Sequence, residues 1–228
     1  SSGNTKDKDG NNIENKIIAG LRLSGKINNN LRIGLLNMQT SQDIENEISA
    51  YNNSIITLQQ KVFNRSNFNI FFINREATGE NEYTEENDKF NRVIGFDYNL
   101  RSNDSKWDGK YYFHRSYSPE ENENSNSYGI STSYESRNFG FRAAGLYIGE
   151  DYRSDLGYIR RNDIIKLYPE ISYTIWPEKS KFLNHRFELT PVFILKPGLN
   201  NEISDYYIIS KFDTYGINSE RINLSMWN

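Results

Sequence analysis

The sequence has no cysteine, only five prolines in 228 residues, and no apolar run of the length that crosses a bilayer as a helix, about 18 residues. The missing cysteine excludes a disulfide scaffold, a thiolate metal site and a cysteine nucleophile. The missing apolar run excludes a transmembrane helix. Basic residues are in no excess either: 27 Lys and Arg stand against 30 Asp and Glu, a formal charge of −3. A nucleic-acid partner would call for a basic patch, so none is expected. The two histidines, His114 and His185, lie far apart and neither belongs to a metal motif. No Gly-x-Ser-x-Gly elbow, phosphate loop or paired-glycine dinucleotide motif occurs. Neighbouring carboxylates are confined to polar loops, where nothing tunes them for acid–base work. No catalytic residue, metal or cofactor is therefore assigned, and the chain is expected not to be an enzyme.

Aromatic residues, by contrast, are plentiful: 16 Tyr, 13 Phe and 3 Trp make up 14% of the chain. A disordered chain would be poor in them, so the low mean hydropathy needs another explanation. The hydrophobic pattern supplies one, because it has a period of two. Ile94, Phe96, Tyr98 and Leu100 alternate with Gly95, Asp97, Asn99 and Arg101. Tyr128, Ile130, Thr132 and Tyr134 alternate with Gly129, Ser131, Ser133 and Glu135, and Phe187, Leu189, Pro191, Phe193 and Leu195 alternate in the same way. Successive side chains of a strand point to opposite faces, so each run reads as a strand with one apolar and one polar face. Twelve strands are expected, at 16–27, 31–41, 53–64, 67–77, 90–102, 106–117, 127–136, 138–149, 163–176, 183–196, 204–217 and 220–228. Residues 1–15 read as a polar loop, and 42–50 as no more than a turn.

Most of these runs exceed the usual soluble strand of about 5–6 residues and match the about 9–11 of a tilted bilayer-crossing strand. The connections alternate short and long for nine in succession, from 28–30 (short) and 41–52 (long) onward. Outer-membrane barrels connect strands in this way, with tight periplasmic turns and long outer loops. Only every second residue meets lipid in such a wall, which accounts for the low hydropathy. The expected fold is an all-β, antiparallel, up-and-down transmembrane β-barrel. It forms one segment over residues 1–228 with no second domain, in the outer membrane of a Gram-negative bacterium. The rival fold is a soluble β-sandwich or small barrel acting as a glycan-binding module.

Several segments also resemble a known family. Ile18-Ala19-Gly20-Leu21-Arg22-Leu23-Ser24-Gly25-Lys26 and Ile33-Gly34-Leu35-Leu36-Asn37-Met38-Gln39-Thr40 look like its opening hairpin. Phe72-Ile73-Asn74-Arg75, Gly95-Phe96-Asp97-Tyr98-Asn99-Leu100-Arg101 and Asp155-Leu156-Gly157-Tyr158-Ile159-Arg160-Arg161 follow in the same order. The family resembled is an uncharacterised Bacteroidetes outer-membrane β-barrel group. Its barrel commonly follows a periplasmic domain resembling a family 9 carbohydrate-binding module. The resemblance covers most of residues 16–176 and implies a link to glycan handling, but no catalytic residues.

The implied function is a passive pore or a structural subunit of an envelope assembly. Its partners would be outer-membrane lipid and lipopolysaccharide, other outer-membrane or periplasmic proteins, and glycans. An outer-membrane enzyme with rim residues is the catalytic alternative. Lumen-facing candidates are Arg22, Asp97, Asn99, Arg101, Arg142, Lys166 and Glu170, which either select solutes or pair with one another. Gly157, Arg160 and Arg161 form a loop motif. Its adjacent guanidiniums either clamp an anion or tether the loop to Asp151, Asp155 or Asp163. Asp7, Asp9 and Asn11 around Gly10 resemble a calcium turn, but the twelfth position from Asp7 is Ile18, not an acid. Outward positions are Leu21, Leu23, Ile94, Phe96, Tyr98, Phe113, Phe139, Phe141, Leu189 and Phe193. With short turns in the periplasm, both ends of the chain fall on the outer side. Ordinary barrels keep both termini periplasmic, so the chain is expected to be part of a barrel of about 14 strands or more.

Overall fold

Period-two patterning gives one long antiparallel sheet. The computed structural model describes residues 4–6, 12–79, 84–120 and 123–228. Its main strands are β3 (Ile17–Lys26), β4 (Leu31–Thr40), β5 (Ala50–Val62), β6 (Ser66–Thr78), β7 (Phe90–Arg101) and β8 (Trp107–Tyr117). They continue with β9 (Asn126–Glu135), β10 (Phe139–Ile148), β11 (Ile164–Leu167), β12 (Glu170–Ile175), β13 (Phe182–Lys196), β14 (Glu202–Gly216) and β15 (Arg221–Trp227). Each pairs antiparallel with its neighbours in sequence, except that β11 and β12 do not pair with each other and both pair with β10 and β13, giving a 13-stranded up-and-down sheet. β3 and β15 are its two edges and do not pair with each other.

Two expectations need correction. The strand read over 163–176 is broken at Tyr168-Pro169 into β11 and β12, both of which lie between β10 and β13. Pro169 has no N–H to give to the ladder, so the stave is interrupted there. Residues 1–15 are not all loop: Asn4–Lys6 (β1) and Asn12–Glu14 (β2) pair antiparallel. The candidate calcium turn at Asp7, Asp9, Gly10 and Asn11 lies outside the described residues. The expected turn within 42–50 spans residues 43–48 and is closed by an isolated bridge between Asp43 and Ile48, and Ala50 already belongs to β5.

Connections of 27–30, 63–65, 102–106, 136–138, 176–181 and 217–220 gather at one end of the sheet, hereafter the short-turn end. Those of 41–49, 79–89, 118–125 and 149–163 gather at the other, the long-loop end, with the shorter 197–201 beside them.

The register is staggered. A single row of cross-strand partners runs Ile33, Leu58, Ile70, Phe96, Phe113, Tyr128, Tyr147, Ile165, Leu195, Ile203. It starts near the short-turn end of β4 and finishes at the long-loop end of β14. Such a drift means that strands are inclined to the row of hydrogen bonds, the inclination that curls a sheet towards a barrel.

Burial is inverted relative to a water-soluble protein. Among the described residues, six apolar side chains are buried against fourteen polar ones, and Leu21, Ile56, Ile94, Phe113, Ile130 and Leu189 are exposed. These six exposed side chains share one face, hereafter the outward face. Aromatic pairs lie at both ends of that face: Tyr98 with Tyr111 (6.0 Å) and Trp107 with Tyr134 (5.0 Å) at the short turns, and Tyr128 with Tyr147 (4.8 Å) and Phe193 with Tyr206 (5.1 Å) near the loops. The apolar band has a polar upper limit on β4–β7. There Asn37 donates to Ser54 (2.7 Å), and Arg92 donates to Asn74 (3.0 Å) and pairs with Glu76 (3.4 Å).

Candidate functional site

The inward face carries the polar side chains and is divided into two regions. At the long-loop end the 149–163 loop folds onto it. Arg153 reaches Asp155 (Nε to Oδ1 2.6 Å), donates to the Asn87 carbonyl (2.9 Å) and pairs with Asp88. Arg75 of β6 binds the other carboxylate oxygen of Asp155 at 2.7 Å, with its guanidinium 3.7 Å from the centre of the Tyr51 ring. The loop backbone is held as well. The Asn91 amide donates to the Arg153 carbonyl (3.1 Å) and accepts from the Asp155 N–H (3.0 Å), and Ser116 accepts from the Arg153 N–H (3.1 Å). Asn91 and Val93 beneath the loop are 1% exposed, and Tyr152 is 7%. Burial, reinforced by the neighbouring Tyr112 and Asp97, pushes the Tyr152 phenol up to about 12. Burial alone would lower Arg153, but hydrogen bonds to Asp88 and Asp155 outweigh it and hold the guanidinium charge more firmly than usual. Over this region lies a cavity of about 600 Å³ whose wall includes Glu120, Glu150, Asp151 and Asp155 beside Arg153.

Below it, Asp97 and His114 pair across β7 and β8 at 2.8 Å. His114 is packed edge-on by Phe71 (5.0 Å) and lies beside Tyr112 (4.7 Å). Gly95 makes this packing possible: a Cβ there would come within 2.1 Å of the Phe71 ring and 2.7 Å of His114. No cluster of three or more His, Asp and Glu side chains that could hold a metal ion occurs among the described residues.

At the short-turn end the inward face is open. A cavity of about 400 Å³ is walled by Arg65, Asn99, Arg101, Asp108, Lys110 and Arg142, among others. Asn99 donates to Asn67 (3.0 Å), and Arg142 donates to Glu170 (3.3 Å). Of the seven lumen candidates, Asn99, Arg101 and Arg142 thus line one cavity, and Glu170 is tied to it through Arg142. Asp97 stands deeper, in the histidine pair. Lys166 faces inward on β11 with its ammonium 5.3 Å from the Tyr168 ring, away from the others. Arg22 lies on the edge strand opposite Leu36 and joins no cluster.

The loop motif does not form a clamp. Arg161 pairs with Asp205 of β14 at 2.6 Å and donates to Ser204 (3.1 Å), while Arg160 points elsewhere and is exposed. Arg161 tethers the loop to β14 through Asp205, and not to Asp151, Asp155 or Asp163. Gly157 closes a turn by donating to the Ser154 carbonyl (3.1 Å).

Residues 3–198 match the family described as a domain of unknown function, DUF5916. The chain belongs to that family. No curated protein and no solved structure matches it. The DUF5916 match extends through β13, so both inward regions, from Arg65 to Glu170, lie within it.

The residues that reasoning from sequence missed are Tyr152, Arg153, Asn91 and Arg75, which close the long-loop end. Their only trace in the sequence is compositional. An aromatic and an arginine follow Glu150-Asp151 in a loop otherwise rich in small and acidic residues.

Proposed function

We propose that this chain is wall and lumen of an outer-membrane β-barrel that serves as a restricted passive pore. The inverted burial carries the reading: apolar side chains cover the exposed face and polar ones fill the covered face. A soluble sheet module would bury its apolar face instead. The staggered register, the aromatic pairs at both ends and the strand lengths support the same conclusion. In a bilayer every backbone group must be paired, so the edges of β3 and β15 need further strands beside them. The short turns would face the periplasm and the long loops the exterior. Arg92 at the upper limit of the apolar band would stand at the depth of lipopolysaccharide headgroups.

The 149–163 loop narrows the outer half of the lumen, and the polar chamber at the short turns is its inner vestibule. A Bacteroidetes origin and a neighbouring periplasmic carbohydrate-binding-like domain, implied by the resemblance, would place the pore in glycan handling. Membrane extraction tests the reading first. The chain should require detergent to leave the envelope fraction, and recovery as a soluble protein without detergent would overturn it. Planar-bilayer recording then reads the pore. Small steady conductance steps are expected, and a tightly folded barrel that passes no current would leave a structural subunit instead.

A further inference from the structure

The vestibule at the short-turn end has an unusual balance of charge. Arg65, Arg101, Lys110 and Arg142 line it, against a single lining carboxylate, Asp108. Arg142 is neutralised by Glu170 at 3.3 Å. Asp108 faces Arg101 across β7 and β8, yet it accepts from the Ser133 hydroxyl and forms no ion pair with Arg101. The Glu135 carboxylate nearby is engaged by Arg186. Arg65 is anchored by donating from Nη1 to the carbonyls of Ser102 (3.4 Å) and Asn103 (3.2 Å) and to the Ser105 hydroxyl. That leaves its charge uncompensated. Among the described residues, the side chains of Arg101 and Lys110 make no hydrogen bond or ion pair, and Lys110 lies only loosely over Tyr112, at 5.9 Å. Three cations therefore converge on one polar cavity without a carboxylate partner of their own.

Elsewhere on this inward face several cations are paired, Arg75 and Arg153 with Asp155, Arg186 with Glu135, Lys211 with Glu188, and Arg221 with Asp213, whereas Arg22 and Lys166 stand apart without an ion pair among the described residues. Arg65, Arg101 and Lys110 are unpaired cations that share one open chamber. Like charges held together repel, and a cleft with low-dielectric walls focuses their field on whatever anion enters. Asn99, Ser131 and Ser133 on the same wall add neutral polar groups that suit hydroxyls beside the charge.

We propose that this vestibule is a binding site for small anionic solutes bearing a phosphate or carboxylate group, held by Arg65, Arg101 and Lys110. The site deepens the pore reading, since it would make the inner mouth anion-selective while the outer mouth is lined by Glu120, Glu150, Asp151 and Asp155. Arg101 and Lys110 supply charge from the strands, and Arg65 supplies a fork already fixed by its turn.

The test is equilibrium titration of the folded full chain in a zwitterionic detergent with inorganic phosphate at low ionic strength. Saturable binding is expected that weakens as salt rises. R101Q and K110Q together should weaken it at least tenfold, while R22Q, on the same face but outside the chamber, should leave it unchanged. Identical spectra and heat-modifiable migration of all variants would show that folding is intact. Absence of saturable binding, or equal binding by the double variant, overturns the proposal. The result stays separate from the pore reading, because a chain that proved soluble without detergent would still give the same titration in plain buffer.

Discussion

The two ends of the inward face are built on the same strands and by the same alternation, yet they behave oppositely. On β7, Asn91 and Val93 at the long-loop end are almost inaccessible, whereas Arg101 at the short-turn end is exposed. The staves alone do not cause this. The 149–163 loop brings Arg153 and Asp155 to meet Arg75, Asn91 and Ser116, and the short turns have too few residues to do the same. A charge at the loop end is therefore part of a closed hydrogen-bonded network, and its loss leaves buried partners unsatisfied. A charge at the turn end meets water or a solute.

The largest effect should come from breaking the wall that both ends share. Ile94→Arg or Phe96→Arg puts a cation on the outward face of β7 and should cost about 2–4 kcal/mol if it lies near the bilayer midplane. Asp97→Asn, on the inward face directly after Phe96 in sequence, keeps a hydrogen-bonding partner for His114 and should cost far less. Folding titrations into liposomes measure both, and equal penalties would mean that the two faces have been assigned in the wrong register.

A sharper contrast lies within one face of one strand. Asn91→Ala removes two hydrogen bonds to the loop backbone and leaves the Arg153 carbonyl and the Asp155 N–H without them. About 1–3 kcal/mol of loop docking should be lost. Asn99→Ala removes one bond to Asn67 in an open chamber and should cost about 1 kcal/mol or less. Protease cleavage within 149–163 should accelerate only in the first variant, with larger conductance steps beside it.

Tyr152 gives the same end a pH limit. Its phenol titrates near 10 when exposed and is pushed up to about 12 when the loop is docked. The undocked state therefore holds fewer protons between those values. Docking is at full strength below about pH 10 and weakens as pH rises towards 12. Tyr152→Phe should abolish that slope, and hydrogen exchange of the loop amides between pH 9 and 11 would read it after correction for intrinsic rates. A slope that persists in the Phe variant would assign it to another group.

These contrasts also show what the residues make legible. The alternation through 90–101 assigns Ile94 and Phe96 to one face and Asp97 and Asn99 to the other, because a period of two is a local property. Alternating connection lengths expose the two ends for the same reason. Pro169 was a local signal too, of a break inside the strand read over 163–176. Closure of the long-loop end is not local: Asn91 and Arg153 are separated by 62 residues, and any polar loop could have folded inward in place of theirs. The same holds for Arg161, whose partner Asp205 lies 44 residues on, farther than the nearby acids to which its position points.

That last pair supports the smallest prediction, a comparison of neighbours. Arg161 ties the far end of the 149–163 loop to β14, through Asp205 at 2.6 Å and Ser204 at 3.1 Å, while Arg160 has no such partner among the described residues. Arg161, Asp205 and Arg160 are all open to solvent, so global stability should hardly change in either variant, since exposed ion pairs contribute little. The loop is another matter. Its near end is pinned by Arg153, and without Arg161 the far end keeps only the Asn162 amide on the Glu150 (3.0 Å) and Tyr152 (2.7 Å) carbonyls and the Gly198 N–H on Asp163 (3.2 Å). Arg161→Ala should therefore raise protease cleavage near the exposed Tyr158 several-fold at unchanged melting temperature, and Arg160→Ala should not. High salt should mimic Arg161→Ala in the parent chain, because screening weakens an exposed pair and leaves the buried contacts of Arg153 largely intact. Equal cleavage of the two variants would show that Arg153 alone sets the position of the loop.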